Sequence, residues 1–202
     1  QLGNLSKQVT AFSILLLEEQ GKLKLTDDVR KYVPQLPDFG QKVTLKHLLS
    51  QSSGLHSFWA MAEIAGWDSR KILTQAQALQ LICTQKQLEY KPGTQFSITY
   101  SGLVLLTEVI EKVSGKSFGT FTKEEIFQPL GMNNTLFCED SNQIIPNAAV
   151  PYQQTEQGYK KHPAKHAIPM LNLYSSAADL CQWYLNLDEP KVGSPALMKK
   201  MN

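Results

Sequence analysis

The 202-residue sequence predicts a predominantly helical fold. Three observations carry that expectation. Several long segments place apolar residues at a spacing of three or four. Ser, Thr or Asp stands just before most of these segments and Gly just after them, where helix caps belong. Only one stretch, Phe137 to Pro169, loses the helical period.

The opening run, Leu5 to Gln20, is the most strongly helical. Its interior, Phe12-Ser13-Ile14-Leu15-Leu16-Leu17, is apolar on nearly every side, and Gly21 follows as a C-cap. Such a helix belongs in the middle of a domain, and here it lacks an obvious partner for one face. Thr26-Asp27-Asp28 caps a short helix from Asp28 to Tyr32, which Pro34 and Pro37 end. Thr44 caps another through Leu49, and Ser52-Ser53-Gly54 closes it. From Ser57 to Lys86 the period is again helical, with Ala76, Leu79, Ile82 and Cys83 as an apolar stripe after the capping residue Thr74. Lys91-Pro92-Gly93-Thr94 is a turn by composition. Gly102 to Val113 reads as a long amphipathic helix stopped by Ser114-Gly115, and Phe118 to Phe127 as another, stopped by Pro129-Leu130-Gly131. The irregular stretch holds short strands near Ala149 and Tyr159. Ser176 with Asp179 then begins a last helix, with Leu180, Trp183, Tyr184 and Leu187 on its buried face. Phe12, Leu15, Leu16, Leu106, Ile110, Leu130 and Trp183 are expected in one core.

Composition removes several function classes. The formal charge of +2 is spread without a basic block, so nucleic acid is an unlikely partner class. No apolar run reaches the ~20 residues of a membrane span, and no secretion signal opens the chain. Cys83, Cys138 and Cys181 have no C-x-x-C spacing, so they read as buried small hydrophobes, without a disulfide framework or a zinc site. No cofactor is implied.

An ordered series of short motifs gives the chain its resemblance. Glu19-Gln20-Gly21-Lys22-Leu23-Lys24-Leu25-Thr26-Asp27-Asp28-Val29, Tyr32-Val33-Pro34, Val43-Thr44-Leu45-Lys46-His47-Leu48-Leu49, Ser52-Ser53-Gly54-Leu55, Pro92-Gly93-Thr94, Ser114-Gly115-Lys116-Ser117-Phe118 and Pro129-Leu130-Gly131-Met132 follow one another as in the class C β-lactamase-like family, which includes esterases and D,D-peptidases. Ser176-Ala177-Ala178-Asp179-Leu180 resembles a further family segment. The resemblance spans nearly the whole chain and implies an α+β fold, a helical region set into an antiparallel sheet built from both chain ends. Residues 1–202 are then expected to be the helical region of one such domain, with most of the sheet outside the chain.

The resemblance also implies a chemistry. These serine hydrolases use a serine at a helix start and a lysine three residues later, on the same face. A Tyr-Ser-Asn type motif assists proton transfer and positioning, and a Lys/His-x-Gly strand binds substrate. Here Lys7 is kept, but Asn4 takes the nucleophile's place, and a carboxamide is not acylated in that way. Ser6 cannot substitute, because it is next to Lys7 and on another face of the helix. No serine is followed three residues later by lysine, and the one such threonine, Thr120 with Lys123, sits beside Glu124 and Glu125 on a surface-like helix. Counted without gaps, the second motif falls on Ile98-Thr99-Tyr100, so both its catalytic side chains are gone. Aligning Tyr100-Ser101 instead needs an insertion and a compensating deletion. Lys191-Val192-Gly193 mimics the third motif but lies in a Pro-rich turn, and the family's histidine before Ser52 is Gln51. His47 and His56, flanking the Ser-Ser-Gly-Leu turn, read as packed or solvated side chains, and His162 and His166 have no carboxylate or cysteine partners placed for a metal site.

The resulting expectation is a catalytically inactive relative, a pseudoenzyme, with a vestigial pocket of Asn4, Lys7, Ile98 and Tyr100 remodelled for a small-molecule or peptide ligand. The alternative is a serine hydrolase of altered mechanism, or one whose nucleophile was replaced by engineering. Self-association through the uncovered sheet-facing surface is a further expectation. By resemblance the setting is the cell envelope or secretion.

Overall fold

The computed structural model describes residues 1–68, 72–140, 142–161 and 166–201, the side chains of 161, 166 and 167 excepted. Helix α1, Ser6–Glu19, follows a 3-10 turn at Gly3–Leu5 and is buried almost throughout. Three of its buried residues are polar: Ser6 donates to the Gly3 carbonyl just before the helix, and the helix satisfies Thr10 and Ser13 itself. Thr10 Oγ1 donates to the Ser6 carbonyl at 3.4 Å and Ser13 Oγ to the Val9 carbonyl at 2.8 Å. This lets a nearly all-apolar helix tolerate hydroxyls at the centre of the molecule.

The expected helix Asp28 to Tyr32 is a single 3-10 turn, Val29–Lys31, capped by the Asp28 side chain. Thr44 caps α2, Leu45–Leu49, and its capping box uses His47 Nδ1 as acceptor for the Thr44 N–H. The single helical stretch expected from Ser57 to Lys86 is two helices. One, α3, is Phe58–Ile64, and a left-handed Gly66 with φ 75° ends it. Strand β1, Leu73–Thr74, precedes α4, Gln75–Cys83, whose box pairs Thr74 with Gln77. Its buried stripe is Ala78 and Ile82, with Leu79 and Cys83 packed beside them, while Ala76 is exposed. Ala78 and Ile82 are four apart, so the stripe lies further round the helix than the sequence suggested.

Helix α5, Tyr100–Ser114, has Thr99 as N-cap and ends at left-handed Gly115. Helix α6, Phe118–Thr122, runs into a π-helical turn, Lys123–Phe127, where one regular helix was expected. Glu139 holds its start, accepting the Gly119 N–H at 2.8 Å and the Ser117 hydroxyl at 2.9 Å.

The strands are short. β2, Leu136–Phe137, precedes an exposed hairpin of β3, Tyr152–Thr155, and β4, Gly158–Lys161. No strand forms at Ala149, because the chain turns at Asn147 with φ 58°. β5, His166–Ala167, pairs in parallel with β1, and β6, Leu173–Tyr174, pairs antiparallel with β2.

Helix α7, Ala177–Asp188, starts on Ser176 as expected. Its buried side chains are Asp179, Trp183 and Asn186, whereas Tyr184 is exposed. Asp179 ties the helix start to the preceding loop, accepting the Asn134 N–H and the Thr135 hydroxyl, each at 2.7 Å. Burial pushes its carboxyl up, but these bonds and that from Ser176 outweigh it and leave its pKa below the ordinary value. The chain does not end there. Helix α8, Pro195–Met201, returns to α1 and is tied to it by Lys200–Glu18 at 2.7 Å.

All seven residues expected in the core are buried in one cluster. Phe12 meets Trp183 edge-on at 5.2 Å between ring centres, joining α1 to α7. The face of α1 expected to lack a partner is covered in part by α8 and by the 3-10 turn Pro169–Leu171. Cys138 is buried and Cys83 half-buried, but Cys181 is exposed, contrary to the reading of all three as buried.

Candidate functional site

Asn4 sits in the 3-10 turn that leads into α1, one residue after left-handed Gly3, and Lys7 follows in the first turn of the helix. Tyr100 comes from the first position of α5. The two helix starts meet across 96 residues of sequence. The Tyr100 hydroxyl donates to Asn4 Oδ1 at 2.6 Å, and Lys7 Nζ lies 4.3 Å from the centre of the Tyr100 ring. The structure therefore brings Asn4, Lys7 and Tyr100 together. Ile98 stands apart, 64% exposed and outside the cavity wall.

Asn4 and Lys7 line different spaces. On the Asn4 side is a cavity of about 400 Å³ lined by Gln1, Gly3, Asn4, Trp59, Tyr100 and Leu171. None of these side chains is ionised at neutral pH. Lys7 lines a second cleft of about 780 Å³, where Ala11, Leu15, Leu25, Leu49, Leu103 and Met201 form an apolar floor. An ammonium over a phenol face gains from the ring quadrupole, by about 0.5–1 kcal/mol at an exposed site. This placement makes Lys7 a partner of the Tyr100 ring.

The hydroxyls nearest Asn4 and Tyr100 are already engaged. Ser6 is fully buried and donates to the Gly3 carbonyl at 2.6 Å. Ser101 is fully buried too. Its Oγ donates to the His56 carbonyl at 2.6 Å and accepts the Phe58 N–H at 2.9 Å. Thr99 spends its hydroxyl on the Ser101 N–H as the α5 cap. These bonds anchor the start of α5 to the turn before α3. Thr120 likewise belongs to the cap at Ser117.

The remaining sequence candidates lie elsewhere. His47 serves the α2 cap, and burial together with nearby Lys46 lowers its pKa. His56 Nδ1 faces Glu89 at 3.0 Å. His162 and the side chain of His166 lie outside the described residues. The backbone N–H groups of Lys191 and Val192 donate to Asn186 Oδ1, so that segment is a turn closed by α7. Among the described residues, no group of three or more His, Cys, Asp or Glu is placed to hold a metal ion, and no helix is long and apolar enough to cross a membrane.

Sequence reasoning missed Trp59, Gln1 and Leu171 as walls. Trp59 and Leu171 carry no motif, and only the fold brings them to Asn4.

The Beta-lactamase family model matches residues 1–202. The chain belongs to the β-lactamase family. It is 39% identical to penicillin-binding protein 4* of Bacillus subtilis over 136 residues, 67% of this chain and 30% of that protein. It is 25% identical to a D-aminopeptidase of Gluconobacter oxydans over 98% of this chain and 37% of that protein. The octameric penicillin-binding protein homologue from Pyrococcus abyssi superposes with a TM-score of 0.83 at 32% identity, covering 98% of this chain and 47% of the other. A D-stereospecific amidohydrolase from Streptomyces sp. shares the fold, with a TM-score of 0.84 at 20% identity. The chain thus spans about a third of the length of these curated relatives.

Proposed function

We propose that this chain is a non-acylating member of the family that keeps the Asn4 cavity as a binding site for a small-molecule or peptide ligand. One observation carries the reading. At the position matching the family's nucleophile, a carboxamide accepts the Tyr100 hydroxyl, and Tyr100 itself occupies the third position of the second motif. A carboxamide has no ionisable hydroxyl to attack an acyl group. The hydroxyls of Ser6 and Ser101 are buried and hydrogen-bonded, so neither is a replacement. Ile98, which the gapless count puts at the motif's tyrosine position, lies exposed outside the cavity wall and has no proton to transfer. What persists is a concave site of about 400 Å³ walled by Trp59 and Tyr100, a size that suits a small ligand.

In this reading residues 1–202 are the helical part of one domain, and the apolar cleft along Lys7, Ala11 and Leu15 is the face toward the sheet. That the P. abyssi relative is octameric makes self-association through this face the companion proposal. Concentration-dependent sedimentation would test it.

The activity test is turnover. Incubated with nitrocefin, or with D-phenylalanine p-nitroanilide, the chain should release chromophore no faster than buffer does. Release that saturates with substrate and scales with protein would replace this reading with a serine hydrolase of altered mechanism.

A further inference from the structure

We infer that Gln51 is the positioning residue that sets where Tyr100 stands against Asn4 and Lys7. The inference rests on the site described above but not on its lack of acylation. Gln51 is one of two non-glycine residues with positive φ among the described residues, at 53°. Left-handed backbone is unfavourable for a residue with a Cβ and persists where surrounding bonds enforce it.

The Gln51 N–H donates back to the Leu48 carbonyl at 3.2 Å, and its two acceptor oxygens both serve one other segment. The Gln51 carbonyl accepts the Ser97 N–H at 2.9 Å, and its side-chain Oε1 accepts the Thr99 N–H at 3.0 Å. The adjacent Ser52 carbonyl accepts the Gly93 N–H at 2.8 Å. Gln51 therefore grips alternate residues of the extended segment that enters α5. Thr99 is the cap of that helix and Tyr100 its first residue, so fixing Thr99 fixes the ring that meets Asn4 and Lys7. The same Gln51 lines the cleft beside Lys7. An ordinary right-handed residue here would point its side chain elsewhere and leave the Thr99 N–H unpaired.

The test separates this role from general stability. Gln51→Gly keeps the left-handed backbone at no steric cost but deletes the side-chain acceptor. Gln51→Glu keeps an acceptor oxygen at the same reach. With 3-fluorotyrosine incorporated, and Tyr100→Phe used to assign its resonance, Q51G should shift and broaden the residue 100 signal while Q51E leaves it near its starting position. Acetylation of Lys7 by an N-hydroxysuccinimide ester, read by peptide mass spectrometry, should speed up roughly threefold or more in Q51G as the ring leaves the ammonium. It should return to the starting rate in Q51E. If Q51G folds with the Tyr100 resonance and the Lys7 rate unchanged, Gln51 is only a loop residue and the inference is wrong. Both readouts are independent of hydrolysis, so their failure would leave the non-acylating reading standing, and turnover of nitrocefin would leave this one standing.

Discussion

The stacking of Lys7 on Tyr100 is open to a direct energetic measurement. Lys7→Met removes the ammonium but keeps most of the stem, and Tyr100→Leu removes the π face and the hydroxyl together. The Tyr100 change loses its bond to Asn4 Oδ1 at 2.6 Å, a net loss of about 0.5–1.5 kcal/mol. It also loses the cation–π contact at 4.3 Å, about 0.5–1 kcal/mol at a partly exposed site. Lys7→Met loses only the latter. The double variant should therefore be less destabilised than the sum of the single ones, by about 0.5–1 kcal/mol. Urea unfolding monitored by circular dichroism resolves this if m is unchanged, and the midpoint temperature should follow at roughly 2–4 °C per kcal/mol for a chain of this size. Strict additivity would refute the stacked geometry. A coupling that vanished in high salt would instead confirm its electrostatic origin.

Two further outcomes follow from particular contacts. Gly54→Ala should cost about 2–4 kcal/mol, since a Cβ there would stand 2.2 Å from the Tyr90 carbonyl oxygen on a backbone with φ 77°. Gly115→Ala, with φ 70° but nothing within 4 Å, should cost only about 1 kcal/mol, and equal losses in urea unfolding would contradict the close approach. The Tyr32 hydroxyl and the Lys31 ammonium beside Asp27 hold its carboxyl at about 2, below the ordinary 3.8. Because the folded value is the lower one, this group's stabilisation is present above about pH 4 and fades as pH falls through about 2. Asp27→Asn should flatten the fall in melting temperature across that window without abolishing it, Asp179 being lowered as well. An unchanged slope would remove Asp27 from the account.

Much of the helical frame was legible because it rests on local physics. Thr44, Thr74 and Ser176 announce their helices by accepting the third N–H, an arrangement that needs only neighbours in sequence. The all-round apolar interior of α1 announced its central place for the same reason. Helix α8 was not legible, since Pro195 follows a turn and only Leu197 and Met198 are buried, too few to mark a period. The face of α7 was legible only in part: Trp183 is buried and Leu187 packs on the core, but Tyr184 is exposed, and Asp179 and Asn186 are buried through hydrogen bonds, which a count of apolar residues cannot see. The meeting of Asn4, Lys7 and Tyr100 depends on helix starts 96 residues apart, so it was visible only through the order of family motifs. The grip of Gln51 on Thr99 was invisible even so, because it requires a left-handed glutamine that no spacing rule anticipates.

The central claim is that no residue of this chain takes up an acyl group, and intact-mass spectrometry after incubation with a fluorescent penicillin measures that directly. A positioned nucleophile makes acyl transfer effectively intramolecular, an advantage of about 7–11 kcal/mol that Asn4 cannot provide. The account predicts an unshifted mass and no fluorescence on the denatured chain. It predicts no turnover for Asn4→Ser alone, because the Tyr100 ring still stacks with Lys7, the cation a new serine would need as its partner. Stoichiometric addition of the penicillin to the unaltered chain, mapped to any side chain, would contradict the account.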